Sequence, residues 1–366
     1  MESSADEDRD SVHEEQESIP YRYLRDSELE RLDNQTLLFM AIERGLTQWT
    51  KDLLEAKASL EAQDDSGSTP LMLATIMGHH ECVGMLIAHN ANVDARNPQN
   101  YTSLIAAASM NHIACAQQLI SAGAQINTQA EDGSTALMAA AASGSDTCVQ
   151  ILLTAKAELE ARDINDFTAL MCAAKEGLTS CARILLDAKA NVEARDINGT
   201  TALMVAADRG HTACTQVLIE NNADVAAKDI RNLTALIFAA SEGRPASMQA
   251  LLDAKANVAD EAHNGLTALM FAVMEGHSGC VRVLLASKAA IEAESSTGFT
   301  SLMYAATIGH TECLEVLISA DADINTESNG CTPLMAAAAG GHNACVEVLL
   351  NAKENWRDIR CNDDGC

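Results

Sequence analysis

Residues 168–200 read TALMCAAKEGLTSCARILLDAKANVEARDINGT, and the architecture of the whole chain follows from this stretch. Thr168 stands where a hydroxyl accepts a free amide of a first helical turn, a contribution of about 1 kcal/mol. Leu170, Met171, Ala173 and Ala174 supply one apolar face, and Gly177 ends the helix with a residue that tolerates positive φ. Cys181, Ala182, Leu185 and Leu186 repeat the apolar spacing on a second helix. Asp196, Asn198 and Gly199 then form a turn into the next Thr.

The unit recurs in both directions. Thr36, Thr69, Thr102, Thr135, Thr168, Thr201, Thr234, Thr267 and Thr300 follow one another at a spacing of 33 residues, and Thr332 comes after 32. Pro70 and Pro333 directly follow their Thr, where the fixed φ suits a first helical position and the missing amide proton is not needed. A fixed period of this length predicts an all-α solenoid of ten helix-turn-helix units, each burying its apolar face only against its neighbours.

The recurring TALM or TPLM, AA, GH, LL and DxNG turn resemble the ankyrin repeat family over residues 32–360. The TALM…GHxxC variety is similar to ankyrin-only arrays that some protists carry in large numbers, some of them fused to NimA-related kinase domains. The resemblance implies a helix pair plus a projecting β-turn per repeat, and a concave face that holds protein partners. Two departures stand out. Met72, Met138, Met171, Met204, Met270, Met303 and Met335 occupy the family's usual His position, which predicts thioether packing there in place of a polar link between repeats. Cys replaces Val on the second helix.

Composition narrows the function classes. The 366 residues carry 52 acidic and 24 basic side chains, a formal net charge of −28, which repels a phosphate backbone and excludes a general nucleic-acid binder. No run approaches the roughly 20 apolar residues that span a bilayer, so no membrane insertion is expected. Met1–Asp10 lacks the basic start and apolar stretch of a secretory signal, and the twelve cysteines recur mainly at one repeat position; a reducing cytoplasm is the expected location, with cytoskeletal association as a variant. Residues 1–31 form an acidic tail, expected to be disordered and to confer solubility or steer a basic partner, with Ile19–Leu24 as a cap over the first repeat. Trp49 in place of Cys fits a terminal repeat. Residues 361–366 read as a turn and tail after which another Thr would be due, as in an array cut from a longer one.

Candidate chemistry is sparse. His79/Cys82, His112/Cys115, His211/Cys214, His277/Cys280, His310/Cys313 and His342/Cys345 share a zinc-like spacing. Ligands must lie about 2.0–2.3 Å from one ion, whereas packed helices lie roughly 8–10 Å apart, so packing roles are expected and no metal. Ser145, Leu178 and Arg244 at the His position, and Ser247 at the Cys position, show that the pair is dispensable. Cys172 has no base and orienting group beside it, the Cys361/Cys366 pair lacks further ligands, and the glycines are spread one per turn; neither an enzyme nor a cofactor site is expected.

Binding is expected where the copies differ. One variable set precedes each Thr and contains Tyr101, Phe167, Leu233, Leu266 and Phe299. The other ends the first helix and contains Met77, Met110, Lys175, Glu176, Asp208, Arg209, Glu242 and Glu275. With Ile164, Ile197 and Ile230 the first set would make an apolar ridge suited to partner hot spots. The alternative is that turn apolars pack on adjacent turns, and it applies first to the three isoleucines. Phe238, Phe271 and Tyr304, at the fifth first-helix position, mark repeats seven to nine as a secondary surface, while Arg244-Pro245 interrupts the second-helix start there. The function expected is a non-catalytic interaction scaffold for other proteins; the alternatives are a cytoskeletal structural element and a regulatory array docking on a kinase.

Overall fold

The computed structural model describes residues 33–363. They form twenty helices and no strand, two helices per repeat, in the order the period predicts. The fifth repeat shows the local logic. Thr168 is extended (φ −100°, ψ 168°) and its hydroxyl accepts the Met171 amide at 3.4 Å, starting Ala169–Lys175. Gly177 turns the chain at φ +70° into Thr179–Asp187. The second helix closes where Lys189 takes φ 72° and the Ala190 amide returns to the Leu185 carbonyl at 3.0 Å.

Each first helix packs on the first helices of its neighbours, and each second helix on the second helices. Leu170, Met171, Ala173, Ala174, Cys181, Ala182 and Leu185 are at most 1% exposed. Full burial of one Leu or Met side chain is worth about 1.5–3 kcal/mol, so the stack is held mainly by this small-residue seam. The methionines expected to pack do so: Met72, Met138, Met171, Met204, Met270 and Met303 are buried. Met335 in repeat ten is 57% exposed, because among the described residues nothing stacks on its far side.

Polar links between repeats come from the histidines. His211 Nε2 donates to the Lys175 carbonyl of the preceding first helix at 3.0 Å. His79, His112, His277, His310 and His342 make the same bond at 3.0–3.4 Å. The ring lies over the glycine that ends that helix: a Cβ on Gly177 would stand 2.4 Å from His211 Nδ1. Arg244 takes over the role in repeat seven, its Nε donating to the Asp208 carbonyl at 3.2 Å. The Arg244-Pro245 pair therefore keeps the second-helix start intact, with Pro245 at its first helical position.

Two sequence expectations need correction. Thr36 does not cap the first helix. Asp33 does, accepting the Thr36 amide at 2.7 Å, so the helix begins at Asn34 within repeat one. At the other end Asn343–Asp363 is one continuous helix, so Cys361, Asn362 and Asp363 are helical and not a turn. The position of Ala190, where other repeats turn back, is Glu354 here. The 32-residue interval before Thr332 reflects a tighter turn, in which Ser328 and Cys331 exchange both backbone bonds (3.0 and 2.9 Å). The acidic tail, its Ile19–Leu24 cap, Gly365 and Cys366 lie outside the described residues.

Candidate functional site

The turns before Thr168, Thr201 and Thr234 are each built by one carboxylate. Asp163 Oδ1 accepts the amides of Asn165 and Phe167, both at 2.8 Å, and the Asp163 amide donates to the Phe167 carbonyl. Asp196 and Asp229 do the same in repeats six and seven. Successive turns are then tied edge to edge: the amides of Ile164, Ile197 and Ile230 donate to the carbonyls of Asp132, Asn165 and Asn198 at 3.0–3.2 Å. Arg162 and Arg195 reinforce this, each donating Nη1 to a carbonyl one repeat on at 2.7 Å.

That register reverses part of the expected ridge. Leu233 and Leu266 are buried, at 8% and 6% exposure, and pack into the core. Tyr101 and Phe167 are half-buried against it, and Phe299 is half-buried beside Tyr304. The isoleucines, assigned first to packing, are instead the exposed tips, Ile164 at 67%, Ile197 at 57% and Ile230 at 64%. With its amide committed sideways to the preceding turn, each Ile projects its side chain outward. Burial raises the Tyr101 hydroxyl pKa, with the Asp132 charge adding to the shift.

The first-helix set lies mostly at the surface. Met77, Met110, Lys175, Glu176, Arg209, Glu242 and Glu275 are exposed, and Asp208 is half-buried. The two sets converge at one place. Phe167, Thr200 and Phe238 meet Lys175, Asp208 and Arg209 around a cleft of ≈ 150 Å³, floored by Met204 and Val205. Arg209 Nε lies 3.5 Å from Asp208 Oδ2. Burial, with Glu242 nearby, raises the Asp208 carboxyl above its ordinary value, while Arg209, Arg244 and Arg231 act in the opposite sense. Arg231, which pairs with Asp229 at 3.0 Å, also sets its guanidinium 5.5 Å from the Phe238 ring centre. Further along, the Phe299 and Tyr304 rings meet tilted at 50° with centres 5.4 Å apart, and the Tyr304 hydroxyl donates to Ser295 Oγ at 3.1 Å. The Arg231–Phe238 pair was missed in the sequence, where the available signal was an Arg at a turn tip seven residues before an aromatic.

Elsewhere the chemistry is quiet. Cys82, Cys115, Cys148, Cys181, Cys214, Cys280, Cys313 and Cys345 sit in the core, and the six histidines that pair with all but Cys148 and Cys181 are committed to backbone carbonyls. Burial pushes the Cys214 thiol up to about 11. Cys172 is pushed up to about 12 by burial, with Asp163 adding to it. Among the described residues no three His, Cys, Asp or Glu side chains gather as a metal site would require. No described helix is long and apolar enough to cross a membrane. A wider groove (≈ 500 Å³) between second helices is lined by Leu285, Val316 and the Arg282–Glu312 ion pair, without an aromatic.

The family model described as ankyrin repeats (3 copies) matches residues 21–97, 38–130, 104–196, 137–229, 189–262, 236–328 and 289–363. The chain belongs to the ankyrin repeat family. Among solved structures it is similar to the human ASB11 ankyrin repeat domain, at 29% identity and a TM-score of 0.56, over 60% of this chain and 98% of that one. A search of curated proteins finds no match. Ankyrin repeats generally mediate protein–protein interaction.

Proposed function

We propose that this ankyrin array is a non-catalytic scaffold that holds cytoplasmic proteins along its concave side, the face made by the turns and the ends of the first helices. The observation that carries the reading is the cleft in repeats five to seven, where both variable sets supply the lining. Packing positions repeat nearly unchanged along the chain, whereas these residues differ from copy to copy, as a surface tuned to a particular partner requires. Aromatic and arginine side chains at a partly buried cleft are the usual composition of an energetic hot spot. Met77 and Met110 extend the face toward the first repeats with adaptable apolar contacts.

Quantitative affinity capture from a cytoplasmic extract tests this reading. The wild-type chain is compared with a Met110→Asp/Arg209→Glu variant, whose changes fall on exposed positions and spare the core. A defined set of proteins retained by the first and lost by the second supports the scaffold. Their identity separates a kinase from a cytoskeletal partner. An unchanged set moves the site off this face.

A further inference from the structure

We infer that the first-helix face of repeats six to eight takes a basic peptide segment, with an apolar side chain in the Phe167–Phe238 cleft and an Arg or Lys over Phe271 beside Glu275. The inference rests on the concave-face reading above and gives it a partner chemistry.

Repeat seven displays the recognition within the chain itself. Arg231 lies on the Phe238 ring, and Glu242 follows that ring by four residues at an exposed position. Repeat eight has the same ring and carboxylate, Phe271 and Glu275, but Asn264 where Arg231 would be. Phe271 is half-buried and Glu275 exposed, and no cation of the described residues lies over that ring. A guanidinium or ammonium from outside completes the arrangement, gaining from the ring face and the carboxylate together.

The charges along the face favour the same partner. Arg209 is engaged by Asp208, and Arg244 by the Asp208 carbonyl. Glu176, Glu242 and Glu275 make no ion pair among the described residues, and neither do the two cations set against them, Lys175 and Arg244. The net charge of −28 adds long-range attraction for a basic segment. A cavity of about 150 Å³ holds a benzene-sized group, so the cleft has room for one Leu or Met side chain. Neighbouring helices lie about 8–10 Å apart and an extended chain advances about 3.3 Å per residue, so one repeat corresponds to roughly three peptide residues. The apolar anchor at repeat six and the cation at repeat eight are then about six residues apart.

The test uses the full chain and three fluorescein-labelled 15-residue peptides in a Gly/Ser background, read by fluorescence anisotropy. One carries Leu with Arg three and six positions on; the second has Glu for both Arg; the third has Gly for Leu. The Leu/Arg peptide is expected to bind about tenfold more tightly than either of the others. Glu242→Lys/Glu275→Lys should weaken it about tenfold, while Glu55→Lys/Glu347→Lys, the same charge change on exposed second-helix positions, leaves it unaltered. Equal loss in both variants overturns the proposal, since the attraction is then the overall charge alone. So does the absence of binding by the Leu/Arg peptide at about 1 mM. Tighter binding of the Glu peptide that Phe238→Ala weakens overturns the partner chemistry and leaves the concave face standing. Binding that no variant on this face alters overturns both.

Discussion

Replacing Gly177 by Ala tests how the repeats are latched together. The residue has φ +70°, where an L side chain costs about 1–2 kcal/mol. Its new Cβ would stand 2.4 Å from Nδ1 of His211, so the ring must move and its bond to the Lys175 carbonyl at 3.0 Å is lost. A hydrogen bond of this kind is worth about 1 kcal/mol net, giving a total loss of roughly 2–3 kcal/mol. Two comparisons separate the parts. Gly341, at the same position in repeat ten, has φ +73° with nothing within 4 Å of an added Cβ, so Gly341→Ala should cost only the backbone portion, about 1–2 kcal/mol. In a His211→Ala background, Gly177→Ala should likewise cost only that portion, the remainder appearing as a coupling of about 1 kcal/mol. Urea unfolding followed by circular dichroism, fitted as a nearest-neighbour repeat array, measures all four chains of the cycle. An identical cost of Gly177→Ala with and without His211 would refute the latch.

Other consequences follow from burial. Met204→Ser and Leu203→Ala, both at 1% exposure, should each destabilise by about 2–5 kcal/mol, whereas Met335→Ser should cost under about 0.5 kcal/mol; comparable midpoints in thermal unfolding would contradict the stacking described for repeat ten. Ile164→Ser/Ile197→Ser/Ile230→Ser should leave the unfolding midpoint nearly unchanged, and a drop of several kcal/mol would show the tips to be packed. Cys172, with its thiol pushed up to about 12, and Cys214, at about 11, should resist alkylation at pH 8 in the folded chain and react on unfolding. Rapid modification of either in the native state, read by mass spectrometry, would contradict their environment. Asp208 binds its proton more tightly folded than unfolded, so its contribution is favourable when protonated and is lost as pH rises above the ordinary carboxylate range. Asp208→Asn should therefore raise stability at pH 7 relative to wild type by more than at pH 3; the opposite ordering would refute the burial of that carboxyl.

The repeat period carried the fold because each copy states the same requirements: a Thr cap, a small apolar seam and a glycine bend. Met171 and Cys181 could be placed in the core from their spacing, and they are there. The candidate site was only half legible. Lys175 and Glu242 end amphipathic helices, so their exposure followed from helical periodicity. The turn has no such period. Which of Ile230 and Leu233 faces outward depends on the Asn198 carbonyl of the preceding turn, a contact between residues 32 positions apart. Thr36 lost its capping role to Asp33 three residues earlier, a competition between two good caps that spacing alone could not resolve. The His-to-carbonyl latch joins residues 35–36 positions apart, and its only sequence trace is the pairing of a Gly in one repeat with a His in the next.

A scaffold of this kind must be touched by its partners on the first-helix and turn face. A photoreactive phenylalanine analogue placed singly at Arg209 or Glu242, and for comparison at Gln117 or Glu315 on exposed second-helix positions, would be irradiated with the full chain in cytoplasmic extract. Discrete crosslinked proteins from the first two sites and not from the second two are predicted. Crosslinks confined to Gln117 and Glu315 would contradict the central claim.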